Sequence, residues 1–161
     1  MLFLDSGGFE KEELSLSFDV DEVGNSLLHL AVHNGDKIMV QVLLSARGIT
    51  NTCRNSFGQN VVHIATQRGS TQIVKLLLKN GLYCNSDLRG LHPLHFAALN
   101  NDMAMMEVLV DVISDKINDS EDKKANEDEK KRLIAETINK SQQDGFTPVH
   151  YCCHKGSLKL L

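Results

Sequence analysis

Four stretches of the chain place apolar and polar residues in the same order. They are "DEVGNSLLHLAVHNGDKIMVQVLL", "NSFGQNVVHIATQRGSTQIVKLLL", "DLRGLHPLHFAALNNDMAMMEVLV" and "QQDGFTPVHYCCHKGSLKLL". In each, a glycine (Gly24, Gly58, Gly90, Gly145) stands five positions before a histidine. Those histidines, His29, His63 and His95, recur at intervals of 34 and 32, and His150 follows 55 later. Six residues past each histidine comes Gly35, Gly69, Asn101 or Gly156. Asn is the non-glycine residue that best tolerates a left-handed backbone, so the exchange at Asn101 preserves a tight turn. After that turn, "KIMVQVLL", "TQIVKLLL" and "MAMMEVLV" carry apolar residues at helical spacing along one stripe.

The period predicts helix-turn-helix units at 21–53, 54–86, 87–113 and 141–161. A charged insert fills 114–140, and 1–20 is a lead-in or degenerate cap. A hydroxyl residue or its replacement caps the first helix of each unit, and Pro93 and Pro148 fit the first turn, where a missing N–H costs nothing. Leu28, Val62, Leu94 and Val149 are expected to face the neighbouring unit. The small pairs Ala31-Val32, Ala65-Thr66 and Ala97-Ala98 allow two helices to approach closely. No single unit can bury its stripe, so the units must stack.

"GFTPVHYCCHKG" and "GLHPLHFAALNN" resemble the ankyrin repeat, G-x-T-P-L-H-x-A-A-x-x-G followed by an apolar second helix. "SLLH" and "NVVH" depart from it by lacking proline. The resemblance implies an all-α ankyrin-repeat solenoid with short β-hairpin finger loops. It also implies a non-catalytic module that presents fingers and a concave helical face to a protein partner. Carried over by position, the variable exposed residues are Glu22, Val23, Asn25, His33 and Asn34 in the first unit. In the second they are Ser56, Phe57, Gln59, Gln67 and Arg68; in the third, Leu88, Arg89, Leu91, Leu99 and Asn100. From these the candidate contacts are His33, Phe57, Gln59, Arg68, Leu88, Arg89, Leu91 and Asn100. Phe57, Leu88 and Leu91 lead, because apolar residues at loop tips need something to cover them. The charged insert, "QQDGFTPVHYCCHKG" and "IATQRGSTQIVKLLL" are also similar to the long cytosolic ankyrin array of transient receptor potential ankyrin-type cation channels. That would make the segment a gating or assembly portion of a channel. The alternative parent is an enzyme whose catalytic domain lies outside this chain.

Composition narrows the chemistry. Apolar residues make up 42% and aromatics only 5%, with no Trp, so the core must come from Leu, Val, Ile and Ala. A net charge of −4 gives no general attraction to nucleic acid or anionic membranes. No stretch approaches the ~20 apolar residues of a membrane span, and "MLFL" reaches Asp5 at once. A cytoplasmic setting with reduced thiols fits the four unevenly spaced cysteines, Cys53, Cys84, Cys152 and Cys153.

His150, Cys152, Cys153 and His154 together suggest zinc or a nucleophile with its base. Three of them, however, occupy repeat slots that the other units fill with non-ligands, and consecutive helical cysteines diverge by about 100°. The expectation is no metal, no cofactor and no catalytic group; Gly7-Gly8 lacks the Lys of a phosphate loop. His29, His63 and His95 are expected to make inter-unit hydrogen bonds and His92 to cap a helix. His33 and His154 should face solvent. In the insert, the first half is expected to be a solvated loop. "NEDEKKRLIAETINK" should form a helix capped by Asn126, with Leu133, Ile134 and Ile138 as its apolar face. The insert is either a plain excursion or a partner-binding arm. Leu158, Leu160 and Leu161 would lack a next unit, the pattern of a piece cut from a longer array.

Overall fold

The computed structural model describes residues 21–45, 53–82, 86–119, 127–154 and Gly156. The lead-in, Asn126, Cys84 and the three final leucines lie outside these residues, as do the side chains of Leu133 and Ile134.

Eight helices follow in chain order among the described residues: α1 (Leu27–Asn34), α2 (Lys37–Ser45), α3 (Val61–Gln67), α4 (Thr71–Lys79), α5 (Pro93–Leu99), α6 (Met103–Asp119), α7 (Glu127–Ile138) and α8 (Pro148–His154). The short helices α1, α3, α5 and α8 pack in sequence as an inner row, and α2, α4 and α6 as an outer one. This is an all-α solenoid. Ser26, Asn60 and His92 cap α1, α3 and α5, and in each case the histidine three residues on completes a reciprocal capping box. Such short helices are marginal alone, so caps and stacking must hold them.

The stripe predicted from the sequence is the core. Val32, Val40, Val62, Ala65, Val74, Leu77, Leu94, Ala97, Met105 and Leu109 are wholly buried. Leu28, Val62 and Leu94 are buried against neighbouring units as expected, whereas Val149 is exposed. The turn between inner and outer helices takes a left-handed residue each time: Gly35 at φ 74°, Gly69 at 70° and Asn101 at 54°.

The insert departs from expectation at its start. Helix α6 does not stop at the end of its unit but runs on through 114–119. Its apolar stripe continues through Leu109 and Ile113, both buried, while Asp111 and Asp115 face solvent, so charge and helix do not conflict. Helix α7 forms where a helix was expected, packs on α6 and lays Ile138 against the core.

The second, third and fourth fingers are tight hairpins, each closed by one rung: Asn55 N–H to Gln59 O at 2.9 Å, Asp87 N–H to Leu91 O at 2.9 Å, and Gln142 N–H to Phe146 O at 3.0 Å. None lengthens into a strand among the described residues. Neighbouring fingers are joined by one further rung: Ser56 N–H to Val23 O (2.8 Å), Leu88 N–H to Phe57 O (3.0 Å) and Gln143 N–H to Arg89 O (3.0 Å). That approach leaves no room at Gly58, where a Cβ would lie 2.8 Å from the Leu88 backbone nitrogen. Gly35 has the same backbone handedness, but a Cβ there meets nothing within 4 Å. Gly35→Ala should therefore cost only the left-handed strain, about 1 kcal/mol, and Gly58→Ala clearly more, about 2–3 kcal/mol. Urea unfolding of the two variants checks this; equal losses would mean that the fingers yield freely.

Candidate functional site

The inner surface is set by a histidine relay. The backbone N–H of each helix cap donates to the Nδ1 of the histidine three residues on: Ser26 to His29 at 3.2 Å, Asn60 to His63 at 3.2 Å and His92 to His95 at 3.0 Å. With Nδ1 accepting, the ring proton belongs on Nε2, which points to the next unit. It donates to a finger carbonyl there: His29 to Gln59 O at 3.1 Å, His63 to Leu91 O at 3.2 Å and His95 to Phe146 O at 3.2 Å. Each accepting carbonyl also closes its own finger. The finger position is thus bonded through the base of the preceding inner helix. Phe96 meets His63 edge-on with ring centres 6.2 Å apart, and Tyr151 meets His95 at 5.9 Å.

Side-chain carboxylates and amides brace the fingers from inside. Oδ1 of Asp21, Asn55 and Asp87 each accepts two backbone N–H groups within its own finger, at 2.8–3.1 Å. Hydrogen bonds from Asn25 hold the exposed Asp21 carboxyl below the usual carboxylate range. Arg54 clips two fingers together, its Nη1 donating to Gly58 O at 2.8 Å and Ser86 O at 3.0 Å.

Upon this frame stand the residues nominated from the sequence. Phe57 is 54% exposed and Leu88 66%, on adjacent fingers. Glu22, His33, Asn34, Ser56, Gln67, Arg68, Arg89 and Asn100 are also exposed, and Val23, Asn25 and Leu99 are half-buried. Asn100 is held in place, its Nδ2 donating to Thr66 O at 3.2 Å and Gln67 O at 3.0 Å across the unit boundary.

Two nominations need correction. Gln59 and Leu91 are each only 7% exposed. Both directly precede a helix cap, at the finger base, where the carbonyl must reach the histidine relay and the side chain is drawn inward. Their offset of four before each histidine was visible in the sequence, but the partner of the histidine Nε2 was not. Two groups escaped the sequence reading. Phe146 occupies the same slot as Leu91 yet is half-exposed. Arg89, Leu91, Phe96, Leu99, Gln142, Gln143, Asp144 and Tyr151 surround a groove of about 390 Å³ between the third and fourth fingers.

The terminal histidine–cysteine cluster is dispersed. Cys152 is buried, and desolvation with Cys153 beside it raises its thiol pKa, so it behaves as a small apolar residue. Cys153 and His154 are exposed, and the Nδ1 of His150 is taken by the Thr147 N–H at 3.1 Å and hydroxyl at 2.8 Å. Among the described residues no three His, Cys, Asp or Glu side chains converge as metal ligands. No helix among them is long and apolar enough to cross a membrane.

The family model for ankyrin repeats (three copies) matches residues 28–120, more than half of the chain. The chain belongs to the ankyrin-repeat family, whose arrays serve in general as non-catalytic protein-interaction modules. It is 29% identical over 136 residues to alpha-latrotoxin-Lg1a of Latrodectus geometricus, covering 83% of this chain and 8% of the toxin. It is 31% identical over 104 residues to the nuclear factor NF-kappa-B p105 subunit of Rattus norvegicus, covering 60% of this chain and 11% of that protein. With the human transient receptor potential cation channel subfamily A member 1 it shares 31% over 84 residues, 52% of this chain and 8% of the channel. The chain thus spans only a small part of the relatives it matches.

Burial depresses the pKa of His95, the carbonyls of Phe146 and His92 opposing it only in part. The unfolded chain therefore binds a proton that the folded relay refuses. Stability from the neutral ring is complete above the ordinary value of 6.5 and is lost as pH falls below it. The thermal midpoint should drop between pH 7.5 and 5.5, and His95→Gln should melt lower at pH 7.5 but lose less on acidification. Parallel profiles for the two proteins would show that His95 does not titrate with unfolding.

Proposed function

We propose that the chain is a protein-binding module without catalytic activity, working on the cytoplasmic side and reading its partner with its fingers and inner helical face. Its units are 21–53, 54–86, 87–113 and 141–161, with 114–140 as an insertion. The single observation carrying this is the exposure of Phe57 and Leu88 on adjacent fingers joined by the hydrogen bond from Leu88 N–H to Phe57 O. A fixed apolar pair in water is a standing cost that a partner removes. Arg68, Arg89, His33 and Asn100 complete the surface; Gln59 and Leu91 act beneath it. The protein partner is not identified, and no nucleic acid, cofactor or metal belongs to this reading.

A second reading concerns the parent. The match to the subfamily A cation channel supports an array of the kind such a channel carries, with 114–140 between units. The latrotoxin match covers more of the chain at similar identity, and the NF-kappa-B match equals the channel's identity. A longer transcript distinguishes these parents: six apolar spans point to a channel, a catalytic domain to a regulated enzyme.

Phe57→Ala with Arg89→Ala should weaken partner capture strongly, since truncating a true anchor costs about 2 kcal/mol or more. Neither side chain belongs to the core, so helical circular dichroism should not change. Lys75→Ala and Glu107→Ala, exposed on the outer helices, should leave capture intact. Quantitative pull-downs with the same captured protein decide it. Loss of binding through Lys75 or Glu107 alone would move the binding face to the outer row.

A further inference from the structure

The inner helices α1, α3, α5 and α8 contain no Asp, Glu, Lys or Arg. Formal charge on the inner surface therefore comes from the fingers and from the turns after these helices. In the two middle units those positions carry Arg54, Arg68 and Arg89, three of the five arginines in a chain of net charge −4. Arg54 is engaged in clipping fingers together, whereas Arg68 and Arg89 are exposed. The one carboxylate beneath them, Asp87, is buried, and its Oδ2 lies 3.9 Å from the Arg89 guanidinium, too far for a hydrogen bond. The turn carboxylates Asp36 and Asp102 are aimed instead at the outer helices, accepting from Met39 N–H and Met105 N–H. Among the described residues the exposed finger acids lie at the flanks, Asp21 and Glu22 on the first finger and Asp144 on the fourth.

Beside Arg89 the groove between the third and fourth fingers is lined by the apolar and aromatic Leu91, Phe96, Leu99 and Tyr151, with Gln142, Gln143 and Asp144 contributed by the fourth finger. Cation and apolar slot are thus adjacent. We propose that the middle units recognise an extended acidic segment of a partner protein, its carboxylates meeting Arg68 and Arg89 and one aromatic or aliphatic side chain entering this groove. The proposal rests on the fingers and inner face being the binding surface. Charge complementarity selects the occupant: the exposed guanidinium groups of Arg68 and Arg89, the latter partly offset by the buried Asp87 carboxylate at 3.9 Å, suit two or three carboxylates. They fall short of the six to ten phosphate contacts that typically support nucleic-acid binding. Arg presents a fork matched to a carboxylate, which a surface designed only for solubility does not require.

The test selects from a random twelve-residue peptide library displayed on phage, with the full chain as bait at low salt. Enriched peptides should be rich in Asp and Glu around a Phe, Tyr or Leu. The synthesised best binder should lose about tenfold in affinity with the Arg68→Gln, Arg89→Gln double variant. Raising salt from 0.05 to 0.5 M should weaken wild type by a similar factor and the double variant hardly at all. Leu99→Asp, in the groove lining, should also weaken the peptide, and circular dichroism confirms that each variant is folded. Enrichment of basic or uncharged peptides, an absence of enrichment, or an acidic binder indifferent to the double variant overturns the proposal. So does a single-stranded RNA or a phosphatidylserine vesicle that binds through the same arginines and is not displaced by the peptide. If non-acidic binders still fail on Phe57→Ala, the fingers bind protein and only the acidic assignment falls. If binders ignore every finger and groove variant, the wider reading falls with it.

Discussion

A buried imidazole with one ring nitrogen already occupied must spend its remaining N–H on something. In this protein that something is the carbonyl at the base of the next finger. The bond links three features that would otherwise be independent: the cap of a helix, the spacing of two units and the position of a finger. An unpaired buried donor and acceptor would each cost about 1–3 kcal/mol, so no unit can slide or tilt against its neighbour without several such losses. The apolar stripe supplies the driving force for stacking, but hydrophobic burial is non-directional. The histidine relay is what gives the stack a register.

From that register the finger geometry follows. The carbonyl that receives the histidine proton also closes the hairpin, and the Asx oxygen inside the hairpin fixes its tip. Finger tips then lie close enough for one backbone rung between neighbours, which is why Gly58 can carry no side chain. Phe57 and Leu88 are held apart from the core by this framework rather than by their own packing. Their exposure is therefore imposed on them, and a free chain gains nothing from it.

Much of this was legible in residue order. A histidine every 34 or 32 residues, flanked by glycines at fixed offsets, specified the units, the caps and the left-handed turns, Asn101 included. What was not legible was direction. Gln59 and Leu91 look like loop residues because they sit in a loop, and only the three-dimensional path of the histidine N–H shows that they lie at its buried base. The extension of α6 was hidden for a different reason. Charge density reads as solvated loop, yet a helix needs only one apolar stripe to pack, and with Leu109 and Ile113 buried at the expected end the helix runs on through exposed Asp115 to Asp119.

The same logic explains why the inner surface can vary in charge while the fold does not. Every residue that the relay, the caps and the core require is uncharged on the inner helices, so these helices carry no formal charge at all. On the inner surface charge is admitted at tips and turns, where most of it is exposed and the buried Asp87 carboxylate is held by the backbone N–H groups of Arg89 and Leu91. Arg68 is exposed and the Arg89 guanidinium meets the buried Asp87 carboxylate at 3.9 Å, whereas His63 and Asn55 cannot change without stranding buried hydrogen-bond partners. The atoms that build the array and the side chains it leaves exposed thus belong to the same short segments. Carbonyls, N–H groups and buried rings build the array, and the side chains left outside them are free to be shaped by what they bind.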